Sequence, residues 1–187
     1  MVARGHQVMV ITASDRGTSY RYEDQGVQVV RIRGARNPYW KEGPFPWVGL
    51  STLRDLLDEF QPDILHNHEN VFFNLQVLRL RSSLKIPKVS SCYFLPRYIT
   101  HYMRFGAWGN QQLRNLIWKY IIASLNRYDH VIFSTRSQAQ EFLDHGLRVP
   151  QTVISNGVDT TRYHQRNGAW GEIEDRYHLP PGPRILF

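Results

Sequence analysis

The chain has 187 residues, 42% apolar, 21% charged and 13% aromatic, which excludes wholesale disorder and collagen-like sequence and suffices for one packed core. Its one cysteine, Cys92, excludes an internal disulfide and points to a reducing, cytoplasmic setting, and no apolar run reaches the roughly 18–20 residues of a spanning helix. The formal charge of +7 is uneven: from Asn70 to Tyr128 nine basic residues stand without one Asp or Glu, leaving 14 basic against 16 acidic residues elsewhere.

Residues Val2 to His6 place Arg4 and Gly5 directly before a strand, like the last turn and stop of a helix. Short runs rich in Val and Ile then recur at Val8 to Thr12, Val27 to Ile32, Asp63 to His66, Lys88 to Ser91, His130 to Ser134 and Thr152 to Ser155. Helical stretches separate them. Leu53 to Phe60 follows the cap candidates Ser51 and Thr52 and stops at Pro62; Leu113, Leu116, Ile117, Tyr120, Ile121 and Leu125 repeat at helical spacing; Ser137 to His145 stops at Gly146. This alternation predicts a parallel α/β sheet. The aromatic stretch from Arg33 to Gly49 reads as a long loop, and Pro180 to Pro183 as a stiff linker before a new strand at Arg184 to Phe187.

The order of four motifs resembles the first domain of the GT-B glycosyltransferases of family 4. These are Arg4-Gly5-His6-Gln7-Val8 entering a strand, Pro62-Asp63-Ile64-Leu65-His66, Tyr128-Asp129-His130-Val131-Ile132-Phe133-Ser134, and Val153-Ile154-Ser155-Asn156-Gly157-Val158-Asp159 with Tyr163 after it. The resemblance implies a Rossmann-like parallel sheet with helices on both faces, the acceptor-side half of a two-domain enzyme. It implies that residues 1–179 form this half without its first strand, and that residues 180–187 open a donor-binding domain. In a doubly wound sheet the first strand is central, so its absence is expected to expose pairing edges mid-sheet. The family's paired glutamates and diphosphate-binding basic residues belong to the donor half. A nucleotide-sugar donor is therefore expected in the intact, retaining enzyme, without metal or other cofactor, and activity from this chain alone is not. The acceptor that the resemblance implies is a lipid or saccharide hydroxyl.

Ser90 to Ile99 is further similar to a stretch of members that glycosylate membrane lipids. Tyr93 stands where those have a histidine that contacts the donor sugar. Tyrosine offers a hydroxyl for hydrogen bonding but, with an ordinary pKa of about 10, is a poor general base near neutrality. Other cleft candidates are His66, His68, Asn156 and Gly157. The histidines sit at strand spacing at a strand's carboxyl end, where ligands of open α/β sheets collect. With Glu69 they suggest a metal only weakly, because no third ligand is placed, and a role in an acceptor pocket is the better reading. Asn156-Gly157 reads either as a simple turn, with Gly157 free to take a positive φ, or as cleft lining.

The acid-free stretch suits phosphate-rich partners, namely an anionic bilayer, nucleic acid or phosphorylated small molecules. Arg97, Arg104, Arg114 and Lys119 stand there among Tyr98, Tyr102, Met103, Phe105, Trp108 and Trp118, a mixture suited to a headgroup boundary. Arg97, Arg104, Trp108, Arg114 and Lys119 are the membrane-surface candidates, on the inner face of the cell membrane. A solvated basic surface is the alternative. No RNP, KH or zinc signature supports nucleic acid, which leaves a non-catalytic membrane-surface or nucleic-acid-binding module as the rival to the enzyme reading.

Overall fold

β-Branched residues fit a pleated surface, and in the computed structural model each Val/Ile-rich run forms or borders a strand. The structure describes residues 1–34, 49–68, 73–80, 85–97, 106–163 and 169–178. Contacts divide the chain into two compact units, Met1–Ser155 and Asn156–Phe187.

The first unit begins with a 3₁₀ turn at Val2–Arg4, stopped by Gly5 in the left-handed region at φ 82°. Then come β1 (Val8–Ala13), β2 (Tyr20–Asp24), β3 (Val27–Ile32), α1 (Leu50–Phe60), β4 (Leu65–Asn67), α2 (Phe73–Leu80), β5 (Lys88–Cys92), α3 (Gly106–Leu125), β6 (His130–Phe133), α4 (Arg136–Asp144) and β7 (Gln151–Val153). Its strands form two hydrogen-bonded sheets, ordered β1-β3-β2 and β4-β5-β6-β7. β1 runs parallel to β3, whereas β2 pairs antiparallel with β3 through a two-residue turn at Gln25 and Gly26, both at positive φ. The second sheet is wholly parallel.

Register fixes the faces of that second sheet. Leu65 and Asn67 lie alongside Lys88 and Ser90; Ser90 and Cys92 lie alongside Val131 and Phe133; Phe133 lies alongside Val153. This face carries the larger core, where Val131, Phe133 and Cys92 meet Val77 and Leu78 of α2, Trp118, Ile121 and Leu125 of α3, and Ala139 and Phe142 of α4. A second cluster joins Val30 and Ile32 of β3 to Leu53, Leu56 and Leu57 of α1 and to Leu80. Leu65 packs against both clusters.

Several details differ from expectation. β2 is an unforeseen antiparallel edge strand. Helix α1 starts earlier than its apolar run, with Gly49 at the N-cap and no side-chain cap, so Ser51 and Thr52 lie inside it. Strands β4 and β7 are displaced from their apolar runs, ending at Asn67 and Val153. Helix α4 starts at Arg136 because Thr135 caps it, and it closes as expected at Gly146, φ 98°. Most of the aromatic loop (35–48), Glu69 and residues 180–187, with the boundary at 179, lie outside the described residues.

In the second unit, Asp159 Oδ1 accepts from the Thr161 hydroxyl at 2.6 Å and from the Thr161 and Arg162 amides, which holds its carboxyl below the usual carboxylate range. Helix α5 follows at Ala169–Tyr177.

One buried polar link ties β4 and α2 to the turn that precedes β6. Tyr128 hydroxyl accepts from Asn67 Nδ2 at 2.9 Å and donates to Asn74 Oδ1 at 2.6 Å. Tyr128→Phe keeps the ring and removes both bonds, so urea unfolding is expected to show a loss of about 1–3 kcal/mol. An unchanged midpoint would mean that the link adds nothing to the ring's packing.

Candidate active site at the strand carboxyl ends

Parallel pairing brings the ends of β4, β5 and β6 to one edge of the sheet, so the residues that follow them become neighbours. His66, inside β4, faces away from the main core. Its Nε2 lies 2.8 Å from the hydroxyl of Ser91 on β5. The His66 and His68 rings stand 4.2 Å apart between centroids, and His68 stacks on Tyr93 at 6.2 Å with 10° between planes. Three of the five cleft candidates thus form one row. Burial, and then the nearby His68, lower the pKa of His66. Among the described residues, no group of three His, Cys, Asp or Glu is arranged to hold a metal ion.

Beyond Tyr93 the row opens into a polar basin of about 280 Å³. Tyr93, Leu95 and Arg97 after β5 form one wall, and Ser134, Thr135, Ser137, Gln138 and Glu141 from the start of α4 form the other. Thr135 Oγ1 accepts the Gln138 amide at 3.2 Å, and Ser134 Oγ donates to Gln138 Oε1 at 3.3 Å. Arg97 faces Glu141 at 4.0 Å. Hydroxyls, an amide, a guanidinium and a carboxylate around one hollow suit a ligand rich in hydroxyl groups. The α4 residues went unnoticed in the sequence because Ser-Thr-Arg-Ser reads simply as a helix cap. Their signal was position, directly after a strand of the parallel sheet.

Cys92 belongs to the core rather than the basin. It is fully buried, and burial pushes its thiol up to about 12, so it remains protonated and inert at neutral pH.

The remaining candidates separate. Asn156 and Gly157 belong to the second unit and are exposed. Gly157 does not take the positive φ expected of it, and a Cβ there would meet nothing within 4 Å, so its backbone requires no glycine. Trp108, 78% exposed, lies on one stripe of α3 with Gln112, Leu116 (64% exposed) and Lys119. Arg114 is half-buried on another side of that helix and donates to Gln111. Arg97 is a basin residue, and Arg104 lies outside the described residues.

The sequence model of Glycosyltransferase Family 4 matches residues 1–162. The chain belongs to that family. One family relative, the alpha-monoglucosyldiacylglycerol synthase of Streptococcus pneumoniae (strain ATCC BAA-255 / R6), is 24% identical over 188 residues, covering 98% of this chain and 41% of its own length. Among solved structures, sucrose-phosphate synthase from Thermosynechococcus elongatus is similar at a TM-score of 0.66 and 13% identity, covering 96% of this chain and 44% of its own. That likeness shows the Rossmann-like GT-B fold. The family 4 chain therefore spans less than half the length of either relative.

The lowered pKa of His66 has a pH signature. Below its ordinary value of about 6.5 the unfolded chain takes up a proton that the folded site resists. Stability tied to His66 is full above pH 6.5 and is lost as pH falls toward the folded-state value. His66→Asn is expected to flatten that part of the curve, and NMR titration of the wild-type ring should give a midpoint below 6.5. A midpoint at or above 6.5 contradicts the burial argument.

Proposed function

We propose that this chain is the acceptor-side domain of a family 4 glycosyltransferase that transfers a sugar from a nucleotide-sugar to a hydroxyl group of a membrane lipid. The observation that carries the reading is the hydroxyl-rich basin at the carboxyl ends of β5 and β6, adjoining the His66–His68–Tyr93 row. An acceptor hydroxyl seated there meets hydrogen-bonding partners on two walls. Sugar transfer further needs a proton acceptor for that hydroxyl and stabilisation of the leaving diphosphate. We assign no residue as the base, and the diphosphate site belongs to a donor-binding domain beyond residue 179.

Two observations favour a lipid over a free saccharide. The relative from Streptococcus pneumoniae is a glucosyldiacylglycerol synthase by name. Helix α3 carries Trp108, Leu116 and Lys119 on one exposed stripe and has no acidic residue, a composition suited to the surface of an anionic bilayer. No described helix is long and apolar enough to cross a membrane, which is compatible with peripheral attachment at the inner face of the cell membrane.

Cosedimentation with vesicles tests the membrane side. The folded chain is expected to bind phosphatidylglycerol-containing vesicles, to bind phosphatidylcholine vesicles weakly, and to release as salt rises. A basic residue near such a surface is worth about 1 kcal/mol, so Lys119→Glu is expected to weaken binding by roughly fivefold or more. Trp108→Ala is expected to weaken it in high salt as well. A folded chain that ignores both vesicle types moves the acceptor to a soluble saccharide, and preference for RNA over vesicles favours the non-catalytic nucleic-acid module.

A further inference from the structure

An asparagine carboxamide is a latent electrophile, and the nearest nucleophile is the backbone nitrogen of the next residue. The two react when water reaches them, when the next residue has no side chain to crowd the ring that forms, and when its amide is not tied up in a hydrogen bond. Asn156 and Gly157 meet every one of these conditions. Both are exposed, and residues 154–159 lie in neither helix nor strand. Gly157 keeps an ordinary φ, and among the described residues its amide donates no hydrogen bond. The chain is anchored on either side of the pair: the Ile154 amide donates to the Phe133 carbonyl at 2.8 Å, and Asp159 Oδ1 accepts the Thr161 and Arg162 amides.

Other asparagines show what protection looks like. Asn126 Nδ2 donates to the Gly146 carbonyl at 3.1 Å and its Oδ1 accepts the Arg148 amide at 2.8 Å. The amide that follows it, of Arg127, is itself bonded to the Ser124 carbonyl at 3.0 Å. Asn67 and Asn74 are buried and precede His68 and Leu75. Asn110 and Asn115 lie inside α3, where the helix ladder holds the next amide. A second Asn-Gly pair, Asn167-Gly168, lies outside the described residues.

We propose that Asn156 is a site of spontaneous deamidation, with the Gly157 backbone as its intramolecular nucleophile. The Gly157 nitrogen gives its proton to water or hydroxide and bonds to Asn156 Cγ. The Cγ–Nδ2 bond breaks, and Nδ2 takes a proton from water and leaves as ammonia. Water then adds to the cyclic succinimide at either carbonyl carbon. Opening at one regenerates the ordinary backbone and leaves aspartate; opening at the other leaves isoaspartate, in which the backbone runs through the former side chain. Each event lowers the formal charge from +7 to +6. Isoaspartate also lengthens the backbone by one methylene at Asn156, the first residue of the second unit and one of the cleft candidates.

Peptide mapping by mass spectrometry tests this on the full chain, aged at neutral and at mildly alkaline pH. The readouts at each asparagine are the small mass gain of OH for NH2 and methyl transfer by an isoaspartate methyltransferase. Asn156 is expected to change severalfold faster than Asn126, and faster at the higher pH, because attack needs the deprotonated amide. A Cβ at Gly157 meets nothing within 4 Å, so Gly157→Ala is expected to keep the melting temperature and to slow the reaction at Asn156 severalfold. The proposal is overturned if Asn156 ages as slowly as Asn126, if the change is confined to Asn167, or if Asn156 reacts as fast in the Gly157→Ala chain as in the parent. The map of the parent chain suffices to overturn it, whatever the variant's stability.

Discussion

The parallel ladder from β4 to β7 is the constraint on which the site depends. Parallel strands place all their carboxyl ends at one edge of the sheet. His68, Tyr93 and Ser134 are far apart in sequence, yet each follows a strand of that ladder at the same edge. The core pays for this order: Phe133 and Phe142 are buried with ring centroids 4.9 Å apart, and Trp118 meets Phe142 edge-on. A one-residue slip in β6 would turn Val131 and Phe133 out of that core and Ile132 into it. Fold and site thus share one register.

The site divides its chemistry along the edge. The row of His66, His68 and Tyr93 supplies rings, and the basin supplies hydroxyls and one guanidinium–carboxylate pair, Arg97 with Glu141. Tyr93 stands where the family resemblance implies a histidine. The ring stacked on it is the His68 imidazole, so an imidazole remains next to the hydroxyl that replaced one. Cys92, one residue earlier, points into the core and takes no part.

Much of this fold was legible because apolar runs and their stops carry direct physical signals. Val27 to Ile32 and His130 to Phe133 are strands as expected, and Gly146 stops α4 because a left-handed residue is needed there. β2 was not legible: Tyr20 to Asp24 is mostly exposed, with charged residues at three of five positions, and only pairing with β3 makes it a strand. The start of α1 was misplaced because Ser51 and Thr52 carry cap chemistry that Gly49 preempts. Of the site, the histidines and Tyr93 were visible as residues beside strand ends. The basin was not, since its second wall is built from ordinary cap residues whose meaning comes only from their place in the sheet. Gly157 shows the converse, a turn-like pair whose glycine takes an ordinary backbone conformation.

The central claim is that the basin between Tyr93 and α4 receives the acceptor. Amide chemical shifts of the folded chain, followed during titration with diacylglycerol in phosphatidylcholine bicelles and separately with methyl glucoside, test it most directly. The account expects one of these probes to move Tyr93, Leu95 and Ser134 through Gln138 together, with His66 and His68 following. Shifts confined to other surfaces, or none with either probe, would contradict it.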